Sequence, residues 1–310
     1  PASDGRIKPA LSFFYDNILT TSGLSDTAYT LVFGGTSAAT PMSAGHFGLM
    51  FQMWSEGLFG NPVDPEGTVF SNRPRMATAK ALMINTALPY MFDSESTELR
   101  RTQQGYGLPN VRRLYDWRDM IFVVDAGRPI RNLYTHTYRL QLAAGAPHLR
   151  ATLVYSDPAG TPNSQQHRVN DLTLRVIAPD GTVYWGNHGL LDGNASPPGG
   201  EPDTINTVEN VWLKNPAPGL WRVQIIASEI VQDTNLDTPE LDADYALVVT
   251  GVLRPGGLAD LNGDGCVNQA DLGILLADFG CTVDCVADVN GDGTTDQADL
   301  GVLLSEFGCP

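Results

Sequence analysis

Hydrophobic and polar residues follow two different patterns along this chain, and each predicts a different kind of structure. Residues 38–54 form a long apolar run of small and large side chains, which predicts a helix that begins at Ser37. Because positions 38, 39, 44, 45 and 48 carry small residues, we expect this helix to be packed tightly on most of its sides. A further helical segment is predicted around residues 111–119, and beyond it the pattern changes.

The second pattern consists of short apolar segments separated by turns rich in glycine, proline and asparagine, such as residues 179–181 and 216–219. The strands predicted in this part are residues 138–142, 149–155, 172–178, 183–185, 208–213, 219–226 and 245–250. Short strands at this spacing favour an antiparallel sandwich or jelly roll.

The last fifty residues contain an internal repeat. Residues 260–271, here called loop 1, recur as residues 288–299, called loop 2, at an offset of 28 residues. Each loop is followed by an apolar segment, residues 272–276 or 300–304, that predicts a short helix. No matching helix is predicted before either loop, so each unit is a loop followed by one helix.

Charge is concentrated in this repeat. The chain has 310 residues, enough for two or three domains, and a net charge of −16. Residues 260–309 hold nine aspartates, one glutamate and no lysine or arginine. The acidic balance argues against nucleic acid or an anionic membrane surface as the main partner.

No stretch approaches the roughly 20 apolar residues of a membrane span. Residues 1–5 include neither an initiator methionine nor a signal sequence. We therefore expect the chain to be the later part of a longer precursor.

Both loops have the oxygen pattern of a twelve-residue calcium loop, with side-chain oxygens at positions 1, 3, 5, 9 and 12, a backbone carbonyl at 7 and glycine at 6. Clustered aspartates would repel one another without a cation, and Ca²⁺ prefers many hard oxygen ligands. The predicted ligands are Asp260, Asn262, Asp264, Cys266, Asn268 and Asp271 in loop 1, and Asp288, Asn290, Asp292, Thr294, Asp296 and Asp299 in loop 2, with Cys266 and Thr294 contributing backbone carbonyls.

The four cysteines, Cys266, Cys281, Cys285 and Cys309, all lie in the same repeat. An even, clustered set predicts two disulfides and an oxidising, secreted or cell-surface location, with three pairings open. The alternative is free thiols or a zinc site, although no histidine lies in this segment to complete one.

The duplicated loop-then-helix arrangement of residues 258–310 resembles a type I dockerin. Aspartate rather than glutamate at position 12 is consistent with that resemblance. The resemblance implies a cohesin-type partner, selected in part by positions 10 and 11, which are Gln269-Ala270 and Gln297-Ala298 here. Serine or threonine is the familiar occupant of at least one of these positions, so partner identity stays open. A calcium tail that only stabilises the protein is the alternative.

The segment GGTSAATP at residues 34–41 is the clearest candidate for catalytic chemistry. A serine hydroxyl is a poor nucleophile at neutral pH, and it needs a neighbouring base and preorganised donors for the developing oxyanion. Gly34 and Gly35 leave room for a close approach, and a helix that begins at Ser37 offers unpaired N–H groups. The alternative is that Ser37 only caps the helix.

This segment resembles the serine segment of the subtilisin-like serine peptidases. Residues 4–9, 80–87 and 105–110 are similar to the family's preceding strand, following helix and closing turn. The resemblance implies that Ser37 is the nucleophile and that its backbone N–H is one oxyanion donor. The triad aspartate and histidine and the oxyanion asparagine precede the serine in this family, so they are expected before residue 1. His46 is rejected as a substitute base, because nine helical residues place it roughly 13 Å along the axis.

Residues 153–158, 169–172 and 207–211 resemble the β-barrel or jelly-roll domain that follows the catalytic domain in some large subtilases. Five oxygen-bearing residues near these turns suit either a structural calcium or the capping of turns and strand ends: Asp157, Asn170, Asp171, Glu209 and Asn210. These residues are not assigned as ligands.

The sequence therefore predicts a multidomain protein. Residues 1–120 are expected to be the C-terminal portion of an α/β subtilisin-like catalytic domain, residues 121–253 an antiparallel β-sandwich or jelly roll, and residues 258–310 a small α-helical dockerin-like module. The expected function is a secreted endopeptidase that hydrolyses peptide bonds of a protein substrate through an acyl-enzyme on Ser37. This chain alone is expected to be inactive. The alternative is a calcium-dependent assembly protein with a vestigial peptidase part.

Overall fold

The computed structural model of the chain describes residues 2–90, 100–236, 238–253, 258–262, 265–283, 285–290 and 292–308. Within these ranges we distinguish a serine region (residues 2–120), a two-sheet region (121–253) and a loop–helix region (258–308). The elements in chain order are β1 (Ile18–Thr21), β2 (Tyr29–Phe33), α1 (Thr36–Ser55), α2 (Met76–Asn85), α3 (Arg101–Gln104), α4 (Val111–Asp116), a 3-10 turn (Arg118–Met120), β3 (Ile121–Arg131), β4 (Thr135–Leu142), β5 (His148–Tyr155), β6 (Asp171–Ile177), β7 (Val183–Trp185), β8 (Val208–Lys214), β9 (Gly219–Glu229), β10 (Asp242–Thr250), α5 (Gln269–Asp278) and α6 (Gln297–Ser305).

The two-sheet region consists of two open, four-stranded antiparallel sheets, with strand orders β3-β10-β5-β8 and β4-β9-β6-β7. Alternate residues of both sheets point into one shared hydrophobic core, which includes Leu140, Leu153, Leu174 and Val223. All seven strands predicted from the sequence are present, as β4 to β10.

Strand β3 was not predicted, and its composition explains why. Gly127 and Pro129 interrupt the apolar pattern in the middle of the strand. Proline is tolerated there because β3 is an edge strand of its sheet and pairs only with β10, where Pro129 lies opposite Asp244.

The serine region packs its helix α2 onto the outer face of the sheet that contains β5 and β10. Asn85, at the end of α2, is fully buried and donates from Nδ2 to the carbonyl oxygens of Arg150 and Val248, each at 3.0 Å. Its Oδ1 accepts a hydrogen bond of 2.8 Å from the Thr250 hydroxyl. A second hydrophobic core joins α1 and α2 to side chains on this face, including Trp212. The serine and two-sheet regions are thus continuous in their packing across residue 120.

Two expectations about the serine region were wrong. Helix α1 is not packed on most sides, because only Ala38, Met50, Met53 and Trp54 are buried. Residues 4–9 do not form a strand. Their polar groups bond to the two-sheet region instead, as when the Ile7 N–H donates to Asn206 Oδ1 at 2.8 Å.

The loop–helix region has its own small core, in which Leu275 of α5 and Leu303 of α6 are both fully buried. Each of these helices begins in the last residues of its loop, and among the described residues no helix leads directly into either loop: β10 ends at Thr250 before loop 1, and α5 ends at Asp278 before loop 2. The loop-then-helix order predicted from the repeat is therefore confirmed for the described residues.

Candidate functional site

Ser37 lies in the first turn of α1 with its side chain exposed. The N-cap of this helix is Gly35, whose carbonyl oxygen accepts from the N–H groups of Ala38 at 2.9 Å and Ala39 at 3.4 Å. No side chain caps the helix, and the Ser37 hydroxyl makes no hydrogen bond to the residues that the structure describes. The interpretation of Ser37 as a helix cap is therefore wrong, and its hydroxyl is available to a ligand.

The two glycines before Ser37 bring the chain close to an earlier segment. Gly35 has φ +78° and ψ 178°, a conformation that is essentially restricted to glycine, and its N–H donates to the Tyr15 carbonyl oxygen at 2.5 Å. A Cβ atom on Gly34 would lie 2.9 Å from the same oxygen. The Ala38 and Ala39 N–H groups donate to Gly35, whereas the Ser37 N–H has no hydrogen-bond partner among the described residues, as an oxyanion donor requires.

No histidine is hydrogen-bonded to Ser37 among the described residues. The ring of His46 turns back on its own helix, with Nδ1 2.9 Å from the Met42 carbonyl oxygen and the ring centroid 5.3 Å from that of Phe13. His136 is buried in the two-sheet region with Nδ1 on the Tyr245 hydroxyl. The structure thus places the candidate nucleophile without a candidate base.

The remaining histidines also do not act as a base for Ser37, as His148 shows. Its ring stacks on Trp117 with centroids 3.9 Å apart, and burial together with the charges of Arg150 and Arg113 lowers its pKa to about 4. His167 and His188 lie in loops of the two-sheet region. None of these groups contacts the Ser37 turn in the described part of the chain.

The elements beside Ser37 expose large apolar side chains. On the β1–β2 hairpin Leu19 is 62% exposed, Leu31 66% and Val32 84%, and on α1 Leu49 is 53% and Phe51 40% exposed. Apolar surface of this kind normally marks a face that further protein covers.

Loop 1 is closed by its first and last carboxylates. Asp260 Oδ2 accepts a hydrogen bond of 2.8 Å from the Gly265 N–H. Asp271, which is fully buried, accepts from the Asn262 N–H at 3.0 Å and the Asn268 N–H at 2.8 Å, one on each carboxylate oxygen. The predicted ligand Asp264 lies outside the described residues.

Loop 2 repeats this network at equivalent positions. Asp288 Oδ2 accepts from the Gly293 N–H at 3.0 Å. Asp299, also fully buried, accepts from the Asn290 N–H at 3.0 Å and the Asp296 N–H at 2.8 Å. The donor set is oxygen-rich and buried carboxylates need a counter-charge, so the residues fit a hard cation such as Ca²⁺.

Position 9 of each loop has a second role. Asn268 and Asp296 are the N-caps of α5 and α6, and their side-chain oxygens accept from the N–H groups of Ala270 at 2.8 Å and Ala298 at 2.7 Å. In calcium loops this position often reaches the ion through water. The cap and the predicted ligand role are therefore compatible. In loop 2 the Asn290 amide also donates to Asp292 Oδ2 at 3.0 Å, and the Thr294 N–H donates to Asp292 Oδ1 at 2.9 Å.

Two arginine side chains of the two-sheet region bind loop 2 by donating hydrogen bonds to its backbone carbonyl oxygens. Arg128 donates to the carbonyl oxygen of Asp288 at 3.1 Å, and Arg131 donates to that of Asp292 at 3.0 Å. The ring of Tyr134 lies against Gly293, where any side chain would collide with it. Sequence reasoning missed this contact, because its donors lie about 160 residues earlier in the chain.

Cys281 and Cys285 form a disulfide, and Cys266 is also disulfide-bonded. The free-thiol or zinc alternative is therefore wrong for these three residues, although Asp278 lies close to the bonded pair. Cys309 lies outside the described residues.

The five oxygen-bearing residues of the two-sheet region have different roles: Asp157 and Asn170 accept loop N–H groups, whereas Asp171 Oδ1 and Glu209 Oε1 are buried without a hydrogen-bond partner among the described residues. Asp157 accepts from the N–H groups of Val169 at 2.7 Å and Asn170 at 2.8 Å. Glu209 is fully buried, and burial together with the charge of Asp203 raises its pKa well above the usual range. In the described chain, neither Glu209 nor Asp171 belongs to a group of three close acidic, histidine or cysteine ligands. Asp171 is paired with Arg168 at 3.4 Å, and Asn210 Oδ1 accepts from the Thr152 hydroxyl at 2.6 Å.

Comparison with known proteins gives a weak relationship to a serine protease. No family model matches the chain. The chain is 29% identical over 258 residues to the "Serine protease/ABC transporter B family protein tagA" of Dictyostelium discoideum, an alignment that covers 74% of this chain and 14% of that protein. The chain thus spans a small part of its relative's length. At this level the comparison shows a similarity to part of a protein that is named a serine protease and nothing finer.

Two solved structures are also similar, at a level that carries no argument. They are the lipase BlEst2 of Bacillus licheniformis in its propeptide form (11% identity, TM-score 0.25, 54% of this chain and 32% of that chain) and the CspB protease of Clostridium perfringens (11% identity, TM-score 0.23, 43% of this chain and 26% of that chain). Among the described residues, no helix combines the length and apolarity needed to cross a bilayer.

Proposed function

We propose that this chain is part of a secreted subtilisin-like serine endopeptidase in which Ser37 is the nucleophile. The observation that carries the proposal is the uncapped, exposed Ser37 hydroxyl in the first turn of α1, directly after the glycine turn. Alignment with a relative that is named a serine protease supports it. Ser37 Oγ attacks the scissile carbonyl carbon of a protein substrate as a base takes up the hydroxyl proton, and the Ser37 N–H donates to the oxyanion. The peptide C–N bond then breaks as the base returns the proton to the leaving amine, which gives an acyl-enzyme that water hydrolyses.

The family resemblance implies that the base and its orienting carboxylate belong to a preceding part of the catalytic domain, and the residues before Ser37 in this chain include no histidine. The apolar side chains exposed on α1 and the β1–β2 hairpin suit coverage by that part of a catalytic domain. Without a base, a serine peptidase retains only the contributions of substrate binding and the oxyanion donors. The 310-residue chain is therefore inactive or nearly so on its own.

Peptide hydrolysis by the longer precursor tests this function. The precursor should cleave a denatured protein substrate and lose that activity in the Ser37→Ala variant. Ser43→Ala is a matched control, because Ser43 lies in the same helix and its hydroxyl only donates to the Ala39 carbonyl oxygen. Equal activity of the Ser37→Ala variant and the parent would refute the role of Ser37.

The second part of the proposal concerns residues 258–310, which we assign as a dockerin-like module that binds two Ca²⁺ ions. Asp260, Asn262, Asp264, Asn268 and Asp271 hold one ion, and Asp288, Asn290, Asp292, Asp296 and Asp299 hold the other. The backbone carbonyls of Cys266 and Thr294 complete the two sets. When bound, Ca²⁺ supplies the positive charge that stabilises the buried carboxylates. The matching networks around Asp271 and Asp299 support this assignment.

A calcium-dependent assembly protein with a vestigial peptidase part is the alternative function. One contrast favours it. Loops 1 and 2 have the same carboxylate hydrogen bonds to backbone N–H groups, whereas Ser37 has no base among the described residues. Pull-down on immobilised cohesin, with and without Gln269→Ala and Gln297→Ala, separates a tether from a stabilising tail. Retention that requires calcium and falls in these variants supports the tether.

A further inference from the structure

A cavity of about 440 Å³ lies between α2 and the loop of residues 156–170 in the two-sheet region. Lys80 and Met76 of α2 line this cavity together with Ser156 and His167 of the loop, and Arg6 lines it as well. None of the described residues of the Ser37 turn, loop 1 or loop 2 lines it. The cavity is thus separate from both candidate sites.

Lys80 is partly buried at this cavity and makes no hydrogen bond or ion pair with the described residues. Lys8 likewise has no such partner in the described chain. Burial, followed by the nearby charges of Lys8 and Arg6, lowers the pKa of Lys80 to about 8. An ammonium group that is partly buried without a nearby counter-charge is destabilised, so a negatively charged ligand at this cavity would stabilise it.

Two carboxylates lie in this neighbourhood, Asp4 and Asp157, of which Asp157 lines the cavity itself, and both already have hydrogen-bond partners. Asp4 is paired with Arg6 Nε at 2.6 Å and accepts from the His167 N–H at 3.3 Å. Both oxygens of Asp157 accept backbone N–H groups of the loop. Neither carboxylate is among the charges that act on the pKa of Lys80, whereas two cations are.

We propose that this cavity binds a small oxyanion, a phosphate or carboxylate group, with Lys80 as its principal ligand and Arg6 and Lys8 strengthening the positive field. Ser156 also lines the cavity, and its hydroxyl can act as a further donor. A bound oxyanion would link the serine region to the two-sheet region, because its ligands come from both. This site is independent of the proposed peptidase and calcium functions.

The chain offers a direct experiment, because it has only three lysines, Lys8, Lys80 and Lys214. Reductive methylation with ¹³C-formaldehyde gives an NMR probe on each, and methylation keeps the positive charge. Lys214, exposed at the end of β8, is the internal control. The methylated 310-residue chain is titrated with sodium phosphate and, separately, with sodium acetate, at an ionic strength held constant with sodium chloride.

We expect a saturable shift of the Lys80 signal, a parallel smaller shift of the Lys8 signal, and only a weak, linear shift of the Lys214 signal. Saturation with phosphate alone identifies a phosphate site, and saturation with acetate identifies a carboxylate site. The Lys80→Met variant should lose the saturable Lys8 shift, and Lys80→Arg should keep it. A Lys80 signal that moves no more than that of Lys214 in both titrations overturns the proposal, as does an unchanged Lys8 response in the Lys80→Met variant.

Discussion

The serine region and the loop–helix region each contain a candidate site, and the two sites differ in how much of their chemistry is local. Loops 1 and 2 each close their carboxylate hydrogen-bond network within twelve consecutive residues, from Asp260 to Asp271 or from Asp288 to Asp299. Ser37 instead has a prepared backbone and an exposed hydroxyl, but no base in the described residues. A metal loop is complete in a short segment, whereas a catalytic site is assembled from segments that are distant in the chain.

The largest expected effect is that removal of calcium lowers hydrogen-exchange protection in the loop–helix region but not in the two-sheet region. Chelation with EDTA is expected to abolish hydrogen-exchange protection in residues 258–308 and to leave protection of β5 and β10 unchanged. An ion at a thousand times its dissociation constant contributes about 4 kcal/mol to the stability of the part that binds it. Hydrogen exchange followed by mass spectrometry measures both regions in one sample. Equal protection of α5 and α6 with and without EDTA would rule out the calcium assignment.

A substitution in the glycine turn before Ser37 should have the next largest effect, on the free energy of unfolding. Gly35→Ala should lower the free energy of unfolding by about 1–3 kcal/mol, because the φ and ψ angles of Gly35 are essentially restricted to glycine. Gly45→Ala is the matched control within α1: no atom lies within 4 Å of the added Cβ, and alanine favours a helix by about 1 kcal/mol over glycine. Urea titrations monitored by circular dichroism compare the two. If both variants had the same stability, the strained turn before Ser37 would be excluded.

The smallest predicted effect concerns the contact between loop 2 and the two-sheet region. Arg131→Ala removes the hydrogen bond to the Asp292 carbonyl oxygen and should weaken protection of loop 2 by about 1–2 kcal/mol. Arg112→Ala is the control, because the Arg112–Asp116 pair is exposed and contributes roughly 0.5 kcal/mol or less. Exchange rates of loop 2 amides distinguish the variants. A loop 2 unaffected by Arg131→Ala would mean that this contact is not formed in solution.

Local patterns in the sequence predicted much of the fold. The strands β4 to β10 followed from alternating apolar residues and turn signals, and the order of loop and helix in the repeat followed from its spacing. Strand β3 was missed because Gly127 and Pro129 interrupt its pattern, and only its edge position makes them acceptable. Hydrophobic periodicity depends only on the local sequence, whereas the position of a strand at the edge of a sheet depends on the other strands.

Features that depend on distant partners were not predictable in this way. Arg128 and Arg131 have no sequence signal that connects them to loop 2, because the contact is made by backbone carbonyls, which every residue has. The burial of α1 was overestimated because its small residues suit a packed helix, while the structure covers only one side of it. The cavity at Lys80 was not predictable either, because it lies between α2 and residues 156–170, which are far apart in the sequence.

Labelling of Ser37 by a fluorophosphonate probe tests the central claim most directly. The probe reacts covalently with a serine that a neighbouring base activates, and intact-mass measurement with peptide mapping locates the adduct. We predict rapid labelling of Ser37 in the longer precursor, no labelling in its Ser37→Ala variant, and no labelling of the 310-residue chain alone. Strong labelling of Ser37 in the isolated chain would contradict the claim that its base lies outside the described residues.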